Sequence, residues 1–124
     1  MSIAITGTGS YIPTLTITNK DFNKHEFLNL DGSTFIHTNA SKEFTTSNLA
    51  FFAAEKAIES AQIDKETLDY IIVAHNFGDL VHGQTQGDTL PSLATRVKHQ
   101  LQINNPKCVA YDLIFGCPGW LEGM

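Results

Sequence analysis

The stretch that decides the fold runs Ala110-Tyr-Asp-Leu-Ile-Phe-Gly-Cys-Pro-Gly-Trp-Leu-Glu-Gly-Met124. The apolar residues from Val109 to Ile114 predict a buried strand. Pro118 suits the first position of a helix, where its missing N–H costs nothing. Cys117 is therefore expected at a corner where a strand gives way to a helix.

Such a corner makes Cys117 a candidate nucleophile. Unpaired N–H groups at a helix start favour the thiolate, which is the nucleophilic form of cysteine. Gly116 and Gly119 carry no side chains and so let a substrate approach the main chain. The pattern is that of a nucleophile elbow with sulfur in place of oxygen. A cysteine among apolar residues is also often an inert core residue, and this is our interpretation of Cys108, at the start of the same strand.

Composition excludes several classes of function. The chain has 124 residues, is 42% hydrophobic and fits one small globular domain. Its net charge of -5, with only eight Lys and Arg, leaves no basic patch for nucleic acid. No apolar run is long enough for a membrane span and no signal-peptide pattern is present, so we expect a cytoplasmic location. The cysteines and histidines lack metal-ligand spacing, and we expect no metal and no cofactor.

The apolar patterns predict strands alternating with helices, which is typical of a parallel α/β layer. One helix carries alanines at steps of three and four residues, and this stripe predicts close packing against a sheet or another helix. The strand that follows this helix is apolar throughout and is expected to be covered on both faces. In chain order the predicted elements are a strand over 3–6, a helix from Thr18 to about residue 28 or 30, a helix over 48–62 capped by Ser47, a strand over 70–74, a helix over 91–102 and the strand before Cys117. In the helix over 91–102, Arg96 is expected to face solvent, and the residues expected to face inward are Leu93, Ala94, Val97 and Leu101.

Three segments resemble one known family, and they occur in the order that the family has. Asp112-Leu-Ile-Phe-Gly-Cys-Pro-Gly-Trp120 looks like the segment around the active-site cysteine of β-ketoacyl-acyl carrier protein synthase III and its relatives in the thiolase superfamily. Ile3-Ala-Ile-Thr-Gly-Thr-Gly-Ser-Tyr-Ile-Pro13 resembles the first strand and turn, and Leu90-Pro-Ser-Leu-Ala94 resembles the start of the helix before the nucleophile strand. The resemblance implies an α/β fold that is thiolase-like, with a mainly parallel sheet and flanking helices.

Members of that family are more than twice as long as this chain. The resemblance therefore predicts that residues 1–124 are the N-terminal part of a thiolase-like condensing-enzyme domain that ends just after the nucleophile, with the C-terminal half absent. The catalytic His and Asn of the family lie in that second half, so this part alone is expected to be inactive. His75 and Asn76 are accordingly interpreted as residues near a strand end that satisfy their own hydrogen bonds.

The activity that the resemblance implies is acyl transfer in fatty acid or related biosynthesis. Cys117 takes an acyl group from acyl-CoA or acyl-acyl carrier protein and condenses it with malonyl-acyl carrier protein, in a homodimer with no nucleic-acid or membrane partner. The implied substrate-binding residues are Gly116, Leu90, which shapes the acyl pocket of the partner subunit, and Phe35, which stacks on the coenzyme A base. Asn39 stands where the family has an arginine that meets a phosphate, and this favours a specialised relative that takes its acyl group from a carrier protein or serves a secondary pathway.

The sequence leaves other functions open. A related enzyme with the same acyl-cysteine step can transfer the acyl group to an alcohol or amine, or follow the course of hydroxymethylglutaryl-CoA synthase. A non-catalytic partner subunit is the remaining alternative, although such subunits usually lack the cysteine. The pair Gly7-Thr-Gly9 is not a dinucleotide fingerprint, since the third glycine and the following helix are missing.

Overall fold

The computed structural model describes residues 3–18, 37–40, 44–80 and 86–124, which belong to two compact units. The smaller unit spans residues 12–43 and contains two antiparallel strands, β1 (Leu15–Thr18) and β2 (His37–Ala40). Their register pairs Leu15 with Ala40 and Thr18 with His37. The helix predicted after Thr18, and also Phe35, lie outside the described residues.

The larger unit is built around a parallel strand pair with a helical crossover. Strands β3 (Tyr70–Ala74) and β4 (Val109–Leu113) pair from Tyr70 opposite Val109 to Ala74 opposite Leu113. The predicted α/β class, with a parallel sheet and flanking helices, is confirmed. The helices of this unit are α1 (Thr46–Ala61), a short 3-10 helix (Lys65–Thr67), α2 (Leu93–Gln100) and α3 (Gly119–Glu122).

The core lies on one face of the sheet, between β3 and the helices α1 and α2. Alternate residues of a strand point to opposite faces, so Ile71 and Val73 face the core together. Cys108 is 3% exposed in this cluster, which agrees with a structural role. The buried members of the cluster are Val97, Leu101, Ile103 and Cys108, and the residues of α1 packed against them are Ala50, Phe51, Ala54 and Ile58.

The opposite face of the sheet is largely uncovered within the described residues. Tyr70, Val109 and Tyr111 are 61%, 50% and 40% exposed. The expectation that β3 is covered on both faces is therefore not met in this part of the chain, because both long helices pack on the same side. In the part of the chain that the structure describes, only the short helix α3 approaches the open face, where Gly123 comes close to Ile72.

Both long helices were predicted, with small differences at their ends. Helix α1 begins at Thr46, and the Asn48 side chain accepts the N–H of the N-cap residue Thr45 at 3.1 Å. Ser47, the cap expected from the sequence, instead lies inside the first turn and bonds elsewhere. Helix α2 is capped by Ser92, whose hydroxyl accepts the N–H of Thr95 at 3.1 Å. The apolar side chains predicted to face inward from α2 are all buried, namely Leu93, Ala94, Val97 and Leu101.

The N-terminal segment packs on α1 through its glycines. Residues 3–13 form no regular strand, so the prediction of a strand over 3–6 was wrong. Ile3 and Ile5 are 93% and 77% exposed. No partner strand lies beside this segment among the described residues. A Cβ on Gly7 would lie 2.6 Å from the carbonyl oxygen of Ala57, and a Cβ on Gly9 would come even closer to the α1 backbone. The alanine stripe of α1 thus packs closely, as predicted. Where it meets these glycines, its partner is the extended N-terminal segment and not the sheet or second helix that we expected.

Replacing Gly9 by alanine should destabilise the protein by about 1–3 kcal/mol, the usual cost of overpacking. The added Cβ would lie 2.5 Å from the backbone nitrogen of Ala57, and backbone atoms yield less than side chains do. Urea unfolding of the full-length protein measures the change. Thr8→Ala is the control, since Thr8 is exposed and its bond to Ser60 comes from the main chain. Equal stability losses in the two variants would contradict this packing.

Candidate active site

The corner that holds Cys117 is a tight turn between β4 and α3. Strand β4 ends at Leu113 and α3 begins at Gly119. Gly116 has φ +62°, and its carbonyl accepts the N–H of Gly119 at 3.1 Å. Cys117 sits inside this turn as an exposed free thiol. The predicted strand-to-helix corner is present in the structure.

The main chain at this corner offers a free hydrogen-bond donor. Among the residues that the structure describes, the N–H of Cys117 has no acceptor. The ladder of α3 starts one residue later, where the carbonyl of Pro118 accepts the N–H groups of Leu121 and Glu122 at 3.0 and 3.1 Å. An exposed sulfur and an unused N–H on the same residue are the groups needed to attack a carbonyl and to hold the resulting oxyanion.

The two glycines of the turn are required for different reasons. A Cβ on Gly116 would meet nothing within 4 Å, so its positive φ and not lack of space favours glycine. Gly119 is buried, but a Cβ there would lie 3.4 Å from the Cβ of Ala74, an ordinary contact. Gly116 therefore sets the backbone direction at which Cys117 is presented.

Gly116→Ala should cost about 1–2 kcal/mol of stability, because alanine is strained at positive φ. Gly119→Ala is the matched control, and its effect should be smaller because a Cβ fits there and alanine favours the helix. Thermal unfolding of both variants in the full-length protein makes the comparison. A larger loss for Gly119→Ala would show that space, not backbone angle, limits this turn.

A buried carboxylate fixes β4 five residues before the cysteine. The Asp112 side chain accepts the N–H groups of Leu93 and Ala94 at 2.7 Å each, and so caps the first turn of α2. It also accepts from Nε2 of His75 at 3.0 Å. The side chains of Asp112 and His75 are only 9% and 3% exposed. Three donors from two elements therefore converge on one carboxylate.

His75 acts here as a structural residue. Its Nδ1 accepts the N–H of Gly78 at 3.0 Å, and its Nε2 therefore carries the hydrogen that it donates to Asp112. Its main-chain N–H also donates to the carbonyl of Leu113 at 3.0 Å. Both ring nitrogens are thus engaged inside the protein. The interpretation of His75 as a strand-end residue with satisfied hydrogen bonds agrees with this geometry.

An ion-pair network around Arg96 was missed by the sequence analysis, which placed this residue on the solvent side of α2. Nη1 of Arg96 lies 2.7 Å from Asp79, and Nη2 lies 3.0 Å from Asp88. Asp79 is 4% exposed, and its carboxylate also accepts the N–H and the hydroxyl of Ser47 at 2.7 and 2.6 Å. A signal was present in the sequence, because Arg96 is the only arginine of the chain and the preceding polar segment holds two aspartates.

The network shifts the protonation of its members. Burial raises the pKa of Asp79, but hydrogen bonds from Ser47 and Arg96 outweigh it and hold that pKa below its ordinary value. The N–H of Leu90, together with Arg96, lowers the pKa of Asp88. Burial lowers the pKa of Arg96, and the two carboxylates overcome this effect and raise it. All three groups are charged at neutral pH.

Asp79 should contribute to acid unfolding. Its pKa is lower in the folded than in the unfolded state, so its stabilising effect is present above the unfolded value of 3.8 and is lost as pH falls towards the folded value. Asp79→Asn should lower stability at pH 7, and its further loss of stability between about pH 5 and pH 3 should be smaller than that of the wild type. Urea unfolding across this range tests the prediction.

The control for this measurement is Glu59→Gln, which removes an exposed carboxylate on α1. It should follow the wild-type curve. Identical acid slopes for the wild type and Asp79→Asn would show that this network carries no pH-dependent stability.

The remaining sequence-predicted site residues fall in different places. Leu90 is 83% exposed and follows the polar segment that precedes α2. Asn39 lies in β2, where its backbone pairs with Thr16. Phe35 lies outside the described residues, and its predicted role stays a prediction. In the described part of the chain, no helix is long and apolar enough to cross a membrane.

Two curated proteins with the same kind of name are similar to this chain in sequence. The chain is 35% identical, over 97% of its length, to β-ketoacyl-[acyl-carrier-protein] synthase III 1 of Vibrio parahaemolyticus, and it covers 36% of that protein. It is 33% identical, over 100% of its length, to the β-ketoacyl-[acyl-carrier-protein] synthase III of Oceanobacillus iheyensis, of which it covers 38%. No protein-family model matches the chain.

The chain is also similar in fold to solved structures, and one of these is an enzyme of the same name. The 3-oxoacyl-[acyl-carrier-protein] synthase III of Aquifex aeolicus superposes with a TM-score of 0.76 at 30% identity, over 95% of this chain and 36% of that one. A single-residue variant of OleA from Xanthomonas campestris reaches a TM-score of 0.74 over 98% of this chain and 36% of that one, but at 21% identity it shows the fold alone.

The fold and the strand-to-helix corner at Cys117 together define a thiolase-like α/β protein. In sequence and structure the chain matches an N-terminal portion of β-ketoacyl-[acyl-carrier-protein] synthase III. It spans little more than a third of the length of these relatives, 36% of the first one compared.

Proposed function

We propose that the protein is an acyltransferase of the 3-oxoacyl-acyl carrier protein synthase III kind, with Cys117 as the residue that carries the acyl group. The observation that supports this most directly is the exposed thiol of Cys117 beside its own unused N–H. A core cysteine offers neither group, and Cys108, at 3% exposure, illustrates the difference. The similarity to named condensing enzymes supports the same reaction class.

In the first step the Cys117 thiolate attacks the carbonyl carbon of an acyl thioester. A new S–C bond forms, the bond from that carbon to the carrier sulfur breaks, and the carrier leaves as a thiolate that takes up the proton Cys117 lost when it ionised. The N–H of Cys117 donates to the oxygen while it carries negative charge. One such preorganised donor is worth about 3 kcal/mol in the transition state.

In the second step the acyl group moves to a malonyl unit on acyl carrier protein. The malonyl carboxylate leaves as carbon dioxide, its electron pair forms the new C–C bond, and the cysteine sulfur is released. The His and Asn that stabilise the enolate oxygen are assigned to a second half of the domain, outside residues 1–124. Within this proposal the 124-residue part alone is inactive, and the enzyme is cytoplasmic and works as a homodimer.

The donor we favour is an acyl group on acyl carrier protein. Coenzyme A carries a phosphorylated nucleotide that basic side chains usually bind. In this chain Asn39 stands where the family resemblance implies an arginine. The only arginine present, Arg96, bonds to Asp79 and Asp88 instead. Phe35 remains a proposed stacking residue and Leu90 a proposed wall of the acyl pocket.

Incubation of the full-length protein with acyl-acyl carrier protein should add the mass of the acyl group to Cys117. Intact-mass and peptide mass spectrometry locate the adduct. Cys117→Ala should remove it completely, whereas Cys108→Ala should keep it, because Cys108 is buried in the core. Release of carbon dioxide from malonyl-acyl carrier protein then identifies the condensing second step.

Two outcomes would overturn the proposal. Absence of an adduct with every acyl donor, in protein of native stability, would remove the enzyme assignment. An adduct that persists in Cys117→Ala would place the acylated residue elsewhere. Acylation without carbon dioxide release would retain the first step and exclude the decarboxylating second step.

A further inference from the structure

Leu90 is held in place by hydrogen bonds on both sides of its backbone. Its N–H donates to the Asp88 carboxylate at 3.2 Å, and its carbonyl accepts from Nη2 of Arg96 at 2.9 Å. The side chain remains 83% exposed although Leu93, three residues on, is fully buried. The backbone that carries this large apolar side chain is therefore fixed.

Arg96 uses all three of its guanidinium nitrogens for this purpose. Nε donates to the carbonyl of Pro91 at 3.0 Å, Nη1 to Asp79 at 2.7 Å, and Nη2 to Leu90 and Asp88. We call Asp79, Asp88 and Arg96 the Arg96 clamp. A lysine offers one point charge and cannot reproduce the planar fork of donors.

The clamp is anchored in the core of the larger unit. Asp79 is buried and bonded to the first turn of α1 through Ser47. The backbones of Asp79 and Asp88 also bond to each other in both directions, at 2.9 and 2.8 Å. Gly87 lies so close to the carbonyl of Phe77 that no Cβ would fit there. The backbone positions of Asp79 and Asp88 are thus fixed relative to each other, next to Leu90.

An open depression in the protein surface lies beside the clamp. Its volume is ≈ 340 Å³, and it is lined by Gln86, Gly87, Asp88, Thr89 and Leu90. Leu90 is the large apolar side chain among these lining residues.

We propose that the Arg96 clamp sets the direction in which Leu90 projects, and thereby the length of acyl chain that the protein accepts. This inference rests on the proposed function, in which Leu90 borders the acyl site. Arg96 acts through the backbone of Leu90 and is a positioning residue. It does not touch the reacting atoms.

The test compares Leu90→Ala, Arg96→Lys and Asp88→Asn in the full-length protein. The rate of Cys117 acylation is measured with a four-carbon and a ten-carbon acyl-acyl carrier protein, and the ratio of the two rates is the readout. Leu90→Ala and Arg96→Lys should shift this ratio in the same direction, by about tenfold, the scale of methylene discrimination in an apolar pocket. Asp88→Asn should shift it less, since Asp79 still holds Arg96.

Controls separate positioning from a loss of stability. A variant that is merely destabilised would slow both donors equally and leave the ratio unchanged. Glu59→Gln, on the exposed side of α1, should match the wild type. Hydrogen exchange of the peptide over 86–92 should be faster in Arg96→Lys than in the wild type. Asp88 is 54% exposed, so Asp88→Asn keeps the test valid if Arg96→Lys does not fold.

The possible outcomes separate a failure of the clamp proposal from a failure of the proposed function. If Cys117 is acylated and Leu90→Ala shifts the ratio, an unchanged ratio in both clamp variants overturns the clamp alone. An unchanged ratio in Leu90→Ala overturns the role of Leu90 but retains the acyl-cysteine step. No acylation of the wild type by any donor refutes the proposed function, and this inference with it.

Discussion

The larger unit depends on the buried carboxylate of Asp112. It accepts N–H groups from the first turn of α2 and from His75 at the end of β3, while its own backbone belongs to β4. Strand, crossover helix and neighbouring strand are therefore joined at one point. A carboxylate that accepts several donors repays its desolvation, whereas loss of the carboxylate would leave buried N–H groups unsatisfied. The turn that presents Cys117 begins only a few residues beyond this anchor.

Local patterns predicted the elements whose environment is decided by their own sequence. The apolar period of α2 identified its buried face, and the glycine–cysteine–proline pattern identified the corner before α3, because both signals come from residues that are close together in the chain. The stripe of alanines on α1 predicted close packing but not its partner. That partner is an extended segment more than forty residues away, containing Gly7 and Gly9, and periodicity carries no information about contacts at that distance.

Predictions failed where long-range contacts decide the outcome. Residues 3–6 have the apolar alternation of a strand, yet a strand needs a neighbour to receive its hydrogen bonds, and none lies beside them in the described chain. Arg96 was assigned to solvent because helix periodicity places it opposite the core. Its carboxylate partners come from the preceding polar segment, so only the folded path of that segment brings them together. Cys117 was identified by its local pattern and by the family resemblance of the segment around it, and its chemical role remains a proposal.

The presence of a single guanidinium group in this chain has a practical consequence. Arg96 is the single arginine in these 124 residues, and its side chain is 18% exposed. An arginine-selective dicarbonyl reagent would therefore modify this part of the protein at one position only. Protection of that position, followed by peptide mapping, gives a direct probe of the ion pairs beneath Leu90 without any substitution in the chain.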